Sequence, residues 1–162
     1  PNARGAEMLG LRVVDMQRGD SDLESQMAAD TVLLAVGFNQ HAGAIAPLWT
    51  AAGKVIAISA CKSALTEAAD LVIPGLTFAE KDGIVVNFEG HAQQLRTAIE
   101  TRTQPEWVVI DALIASLTGT PPHDSIARLR KAIMDATPAL GGVDLLKLGL
   151  TGARVSQPVA SS

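Results

Sequence analysis

Residues 74–94 read PGLTFAEKDGIVVNFEGHAQQ and hold the densest set of chemically capable side chains in the chain. Glu80, Lys81 and Asp82 lead into Gly83, and Asn87, Glu89, Gly90, His91 and Gln93 follow at short offsets. Glu80, Asp82 and Glu89 have the composition of paired carboxylates. Such pairs perform general acid–base chemistry when their environments hold the two groups in different protonation states. The same carboxylates can instead hydrogen-bond loop amides or pair with Lys81 and Arg96. The residues leave both readings open, and the structural one requires no substrate pocket.

A second candidate is Gly37-Phe38-Asn39-Gln40-His41, between an apolar strand-like run and a helical pattern. In α/β folds, phosphates bind past the carboxyl end of a buried strand, where helix N-terminal amides face outward. The G-x-G-x-x-G fingerprint is missing here, and the next strand ends in Ser59 rather than in an acid for a ribose. His41, His91 and His123 lie far apart without a ligand partner at helical spacing, so surface or structural roles are expected. Ser59, Ser63 and Ser116 lack a G-x-S-x-G setting, which argues against a serine hydrolase. The single cysteine, Cys61, cannot form an internal disulfide, fill a zinc site or hold an iron–sulfur cluster. It is expected as a buried or half-buried packing residue. No catalytic residue and no metal ligand is assigned.

These residues must be positioned by the elements around them. Residues 11–15 (LRVVD) read as a short strand and 22–29 as a weak helix with an acidic first turn. Residues 31–36 (TVLLAV) and 54–59 (KVIAIS) are continuous apolar runs rich in branched side chains, the pattern of strands buried on both faces of a parallel sheet. A helical stretch over 42–52 between them completes a βαβ unit, and 69–73 (ADLVI) reads as a third strand stopped by Pro74-Gly75. Residues 84–88 and 92–96 flank Glu89-Gly90-His91 as a small hairpin. Helices are expected over 105–117, packed on the core, and over 124–136. The second has Ile126, Leu129 and Ile133 on one face and Arg128, Arg130 and Lys131 on a solvated one.

Composition bounds the class. The chain has 162 residues, enough for one domain or a domain with a tail, and 48% are apolar, enough for a core. A net charge of −4 argues against a general nucleic-acid surface. No apolar run approaches the roughly 18 residues of a membrane span. The opening Pro1-Asn2-Ala3-Arg4 reads as the interior of a domain, and the expectation is a piece of a longer protein. The expected fold is α/β: a Rossmann-like, mostly parallel sheet with flanking helices, a polar β-hairpin and two C-terminal helices. The expected domain covers 1–140, with 141–162 as a loosely ordered C-terminal tail.

Three clusters together resemble the molybdopterin oxidoreductase superfamily: Ala69-Asp70-Leu71-Val72-Ile73-Pro74, then Phe78-Ala79-Glu80-Lys81-Asp82-Gly83, then Asn87-x-Glu89-Gly90-x-x-Gln93. Members carry an A-D-x-x-L-P strand end, an E-K-x-G-T turn and an N-x-E-G/R-R-x-Q hairpin. Asn2-Ala3-Arg4-Gly5-Ala6 with Leu9-Gly10 is similar to the N-x-x-G-A-x-x-x-G segment, and Gly37-Phe38-Asn39 lies where members have a G-x-N loop. Within the superfamily the likeness is strongest to the large iron–sulfur subunit of respiratory complex I, the NADH:quinone oxidoreductase. Its marks are Glu89-Gly90 followed by His91-Ala92-Gln93-Gln94, a helix beginning Glu106-Trp107-Val108, and the segment 121–140. His91 stands where Arg is usual, Ile84 where Thr is usual and Gln40 where Pro is usual. Ser63-Ala64-Leu65-Thr66 replaces the T-E-T-A of molybdenum enzymes.

The resemblance implies a cofactor-free scaffold portion of that subunit. The parent would carry 2Fe–2S and 4Fe–4S clusters in its N-terminal part and pass electrons from NADH toward quinone. Partners would be other peripheral-arm subunits, with no nucleic acid and no direct membrane span. The location would be peripheral, on the cytoplasmic side of a bacterial inner membrane or the matrix side of a mitochondrial one. The alternative is an active molybdopterin enzyme of the formate dehydrogenase or nitrate reductase type. There Gly37, Asn39, Asn87, Glu89, Gly90 and Gln93 would help to hold molybdopterin guanine dinucleotide. A third class is a Rossmann-like binding module acting alone.

Overall fold

The computed structural model describes residues 3–12, 21–37, 42–140 and 142–155. They divide into two compact units. One, the parallel-sheet unit, takes the described residues within 14–80 and 99–110; the other, the hairpin unit, takes those within 1–13, 81–98 and 111–162.

In the parallel-sheet unit, β1 (Val32–Val36), β2 (Lys54–Ser59) and β3 (Leu71–Pro74) lie in the order β1-β2-β3, all parallel. The register pairs Val32 with Lys54 and Ile56 with Leu71. Parallel strands need long crossovers. A 3-10 turn (Ala42–Ile45) leading into α3 (Ala46–Ala51) connects the first pair, and α4 (Ala64–Ala68) the second. A short α2 (Ser21–Ser25) precedes the sheet. Central β2 buries Val55, Ala57 and Ile58, as its unbroken apolar run requires. The core is Ala35, Ile45, Leu48, Val55, Ala57 and Leu65. Gly53 brings the chain into β2 against the turn before β1: its N–H donates to Ala28 O and Thr31 O, both at 3.0 Å. A Cβ there would lie 1.8 Å from Ala29 O, so only glycine fits.

The hairpin unit contains α1 (Ala3–Met8), the antiparallel pair β4 (Gly83–Val86) and β5 (His91–Leu95), and a two-residue β6 (Ala153–Arg154) antiparallel to β5. It has its own core, which includes Met8, Val86, Ala92, Leu140, Leu145 and Val155. Helix α6 (Ile126–Ala136) is capped by Ser125, whose Oγ accepts the Arg128 N–H at 3.4 Å. Helix α5 (Glu106–Thr118) contributes residues to both units.

The α/β class, the parallel strands, the hairpin and the two C-terminal helices agree with the sequence reading. Five features differ. Residues 11 and 12 form no strand, and 13–15 lie outside the described residues. Helix α5, expected on the core, buries none of its side chains. It is apolar around its whole circumference, with Leu113 40%, Ile114 50% and Leu117 78% exposed. Apolar spacing marks a helix but does not say that this chain supplies the cover. Arg130, expected on a solvated face, has a side chain only 12% exposed and ion-paired to Asp82. Cys61, expected to pack, is exposed. Residues 142–155 place Val143, Leu145, Leu148 and Val155 in the hairpin-unit core, where loose order was expected from the composition.

Candidate functional site

The motif acids are held by their own neighbours. Thr77 precedes the 3-10 turn Phe78–Glu80, and its N–H and hydroxyl both donate to Glu80 Oε2, at 2.8 and 2.7 Å. The Glu80 N–H returns to Thr77 O at 3.1 Å. The pair is a reciprocal cap that satisfies the donors opening the turn. The Thr77 hydroxyl bond, followed by the Thr77 N–H, holds the Glu80 carboxyl below its ordinary value. A general base at neutral pH needs the opposite shift, so Glu80 is suited to capping rather than proton transfer. The T-x-x-E spacing was present in the sequence, and the carboxylate reading passed over it.

Asp70, just before β3, accepts the Lys54 ammonium at 2.7 Å and the Val55 N–H at 2.9 Å. The bond from Lys54 is the largest influence lowering its pKa. Asp70 thereby ties the start of β3 to the start of β2. Asp82 pairs with Arg130, 48 positions on in the chain. On the helical side of the hairpin unit, His123 Nδ1 lies 2.8 Å from Asp111 Oδ1. That bond leads the causes holding the Asp111 carboxyl below its ordinary value. His123 thus has a structural partner, as expected of an isolated histidine; His41 lies outside the described residues.

Asn87 builds the hairpin loop. Its Oδ1 accepts the N–H groups of Glu89 and His91, at 3.0 and 2.9 Å. The Gly90 N–H donates to Asn87 O, and the Asn87 N–H to His91 O, each at 3.0 Å. Gly90 sits at φ +81°, in the left-handed region. This is a three-residue hairpin loop ending in a left-handed glycine. It explains the N-x-E-G spacing without a ligand: Asn supplies the acceptor and Gly the permitted backbone. Glu89 and Gln93 are exposed. Phe88, Glu89, His91 and Arg154 line a surface depression beside the loop, and His91 and Arg154 are register partners. Arg154 was missed in the sequence because a two-residue strand carries no periodic signal.

Of the sequence candidates, the structure gathers Asn87, Glu89, Gly90 and Gln93 on one hairpin. Gly37 ends β1 in the parallel-sheet unit at φ +76°, with its N–H donated to Ile58 O at 2.9 Å. Asn39 lies outside the described residues. A pyrophosphate needs free N–H donors or cations. The amides of Gly37, Glu89, Gly90 and His91 are already donated within the chain, and the hairpin tip presents a carboxylate. Among the described candidates these four amides are thus engaged within the chain, and the cation beside the loop is Arg154. The stretch Ser63-Ala64-Leu65-Thr66 is likewise engaged, as a capping box that starts α4: the Ser63 N–H donates to Thr66 Oγ1 at 2.8 Å and the Thr66 N–H to Ser63 Oγ at 3.4 Å. Among the described residues, no three His, Cys, Asp or Glu side chains converge as metal ligands. No helix among them is long and apolar enough to cross a membrane.

Residues 4–116 match the model of the molybdopterin oxidoreductase family. The NADH-ubiquinone oxidoreductase 78 kDa subunit, mitochondrial, of Neurospora crassa is 33% identical over 81 residues, covering 49% of this chain and 11% of the relative. The protein of that name from Candida albicans is 32% identical over 81 residues, with the same coverage of 49% and 11%. The G subunit of the NADH-quinone oxidoreductase of Salmonella typhimurium is 27% identical over 173 residues, covering 90% of this chain and 18% of the relative. The chain therefore spans less than a fifth of the length of these curated relatives, at most 18%.

Proposed function

The chain belongs to the molybdopterin oxidoreductase family, and from that premise we propose that it is a scaffold portion of a large iron–sulfur subunit of the complex I type, without a pterin cofactor. Its parent passes electrons from NADH toward quinone through 2Fe–2S and 4Fe–4S clusters held outside these residues. The observation that carries this reading is the engagement of two of the family's polar motif side chains, Asn87 and Glu80, by neighbouring residues of the chain. Asn87 Oδ1 is taken by two loop amides and Glu80 Oε2 by Thr77. Asn87 closes one turn and Glu80 caps another, roles that a scaffold keeps without a ligand.

The apolar α5 supports the scaffold role. Trp107, Val108, Val109 and Ile110 are only half-buried, and Leu117 is 78% exposed. Surface of this kind is covered in an assembly. The partners would be other peripheral-arm subunits and the remainder of the parent chain. The location would be the cytoplasmic or matrix face of the energy-transducing membrane, without a span in these residues.

Elemental analysis of the purified full-length parent tests the proposal. Iron at cluster stoichiometry, substoichiometric molybdenum and NADH-dependent reduction of the clusters are expected. One molybdenum per chain would overturn it in favour of a working pterin enzyme.

A further inference from the structure

Helix α5 has no polar face. Its two charged side chains, Glu106 and Asp111, stand about 140° apart around a helix of 3.6 residues per turn. Trp107 and Ile114 lie in the shorter arc between them, and Val108, Val109 and Leu113 in the longer one. The polar side chains are also answered within the chain. Glu106 Oε1 accepts the Leu76 N–H at 3.0 Å. The Asp111 carboxylate accepts the His123 N–H and lies 2.8 Å from His123 Nδ1. The hydroxyls of Ser116 and Thr118 donate back to Ala112 O and Ile114 O, at 2.9 and 2.8 Å. Burying a polar group is costly where it lacks a hydrogen bond, and these four have theirs. Helix α5 thus meets the conditions for dry burial on all sides, yet residues 112–114 and 116–118 are exposed.

The all-round distribution decides what covers it. A helix apolar around its circumference belongs in the core of a larger fold or in a membrane, whereas a helix that meets a partner along one side needs only one apolar stripe. Thirteen residues reach about 20 Å, short of the roughly 30 Å of a bilayer's hydrocarbon. A second copy or a separate subunit docking from outside would cover one stripe and leave the rest to water. This chain spans at most 18% of the length of its curated relatives, so a parent of that length has ample further chain to enclose a helix. We infer that α5 is a core helix of the parent polypeptide, enclosed by further segments of the same chain that present uncharged aliphatic and aromatic side chains. That enclosure presupposes the longer subunit proposed above, though not the loss of its pterin.

Hydrogen exchange read by mass spectrometry on peptides within 106–118 tests this in three preparations. These are the 162-residue chain, the full-length parent purified without other subunits, and the whole assembly. The amides of 112–118 should exchange at least about tenfold more slowly in the parent alone than in the chain, with the assembly adding no comparable step. Leu117→Gln, at a side chain 78% exposed, should leave the unfolding midpoint of the chain unchanged and remove most of the added protection in the parent. Protection that appears only in the assembly would assign the cover to another subunit. Protection of the chain that rises with its own concentration would assign it to a second copy, and equal exchange in all three would leave α5 uncovered. Each of these overturns the assignment. Should the Leu117→Gln parent fail to fold, the three preparations of the unmodified protein decide alone. Molybdenum measured on the same parent separates the two proposals: one per chain sinks the cofactor-free scaffold and leaves the enclosure of α5 standing.

Discussion

Asn87→Ala is the sharpest probe of the claim that the hairpin motif is architecture. The substitution removes one oxygen that accepts two backbone N–H groups, from Glu89 and His91. The bond to Glu89 is exposed, and water replaces it at a loss of about 0.5 kcal/mol. The bond to His91 is partly buried, and its loss costs about 1 kcal/mol. The expected destabilisation is therefore about 1.5 kcal/mol, roughly a tenfold shift in the opening equilibrium of the hairpin. Glu89→Ala removes an exposed side chain and should change stability by less than about 0.5 kcal/mol. Asn87→Asp keeps the acceptor and should recover most of the loss. Both tryptophans, Trp49 and Trp107, belong to the parallel-sheet unit, so indole fluorescence is the wrong signal. Native-state hydrogen exchange at the His91 and Ala92 amides, with urea unfolding followed by far-UV circular dichroism, reports on the strands concerned. If Glu89→Ala costs as much as Asn87→Ala, or Asn87→Asp gives no recovery, the loop is not held as described.

Three further outcomes follow from the same geometry. Asp70 and Glu80 both titrate below their ordinary values of 3.8 and 4.5 when folded. The unfolded chain takes up those protons first on acidification, so their stabilisation is complete above about pH 4.5 and is lost as pH falls through the lowered folded values. An acid titration of stability should flatten below that pH in Asp70→Asn and Glu80→Gln; an unchanged slope would count against the cap and the strand tie. Gly53→Ala forces a Cβ to within 1.8 Å of Ala29 O and should cost at least about 3 kcal/mol in thermal or urea unfolding, whereas a near-neutral result would contradict the close approach. Ser63→Ala removes the capping box of α4 and should cost about 1 kcal/mol, with Ser63→Thr recovering most of it in the same assay.

Elements whose signal is local were legible in the order of the amino acids. Residues 54–59 form β2 with the bounds that their apolar run predicts, because an unbroken branched-aliphatic segment has few alternatives to a doubly covered strand. The hairpin around Gly90 was legible because a left-handed residue needs glycine, and α6 because its apolar residues recur at helical spacing. Pairing between distant residues was settled only by the folded chain. Asp82 finds Arg130, 48 positions away, and Asp70 finds Lys54, 16 positions away; nothing in the local pattern selects either over a nearer charge. β6 is two residues long and exists only because β5 offers it an edge. The burial of Val143, Leu145, Leu148 and Val155 depends likewise on the core that receives them. The contacts of the motif were fixed at this level too. Glu80 and Asn87 are visible in the sequence as polar residues at suggestive offsets, but only the folded chain shows that backbone donors within a few residues already occupy their oxygens.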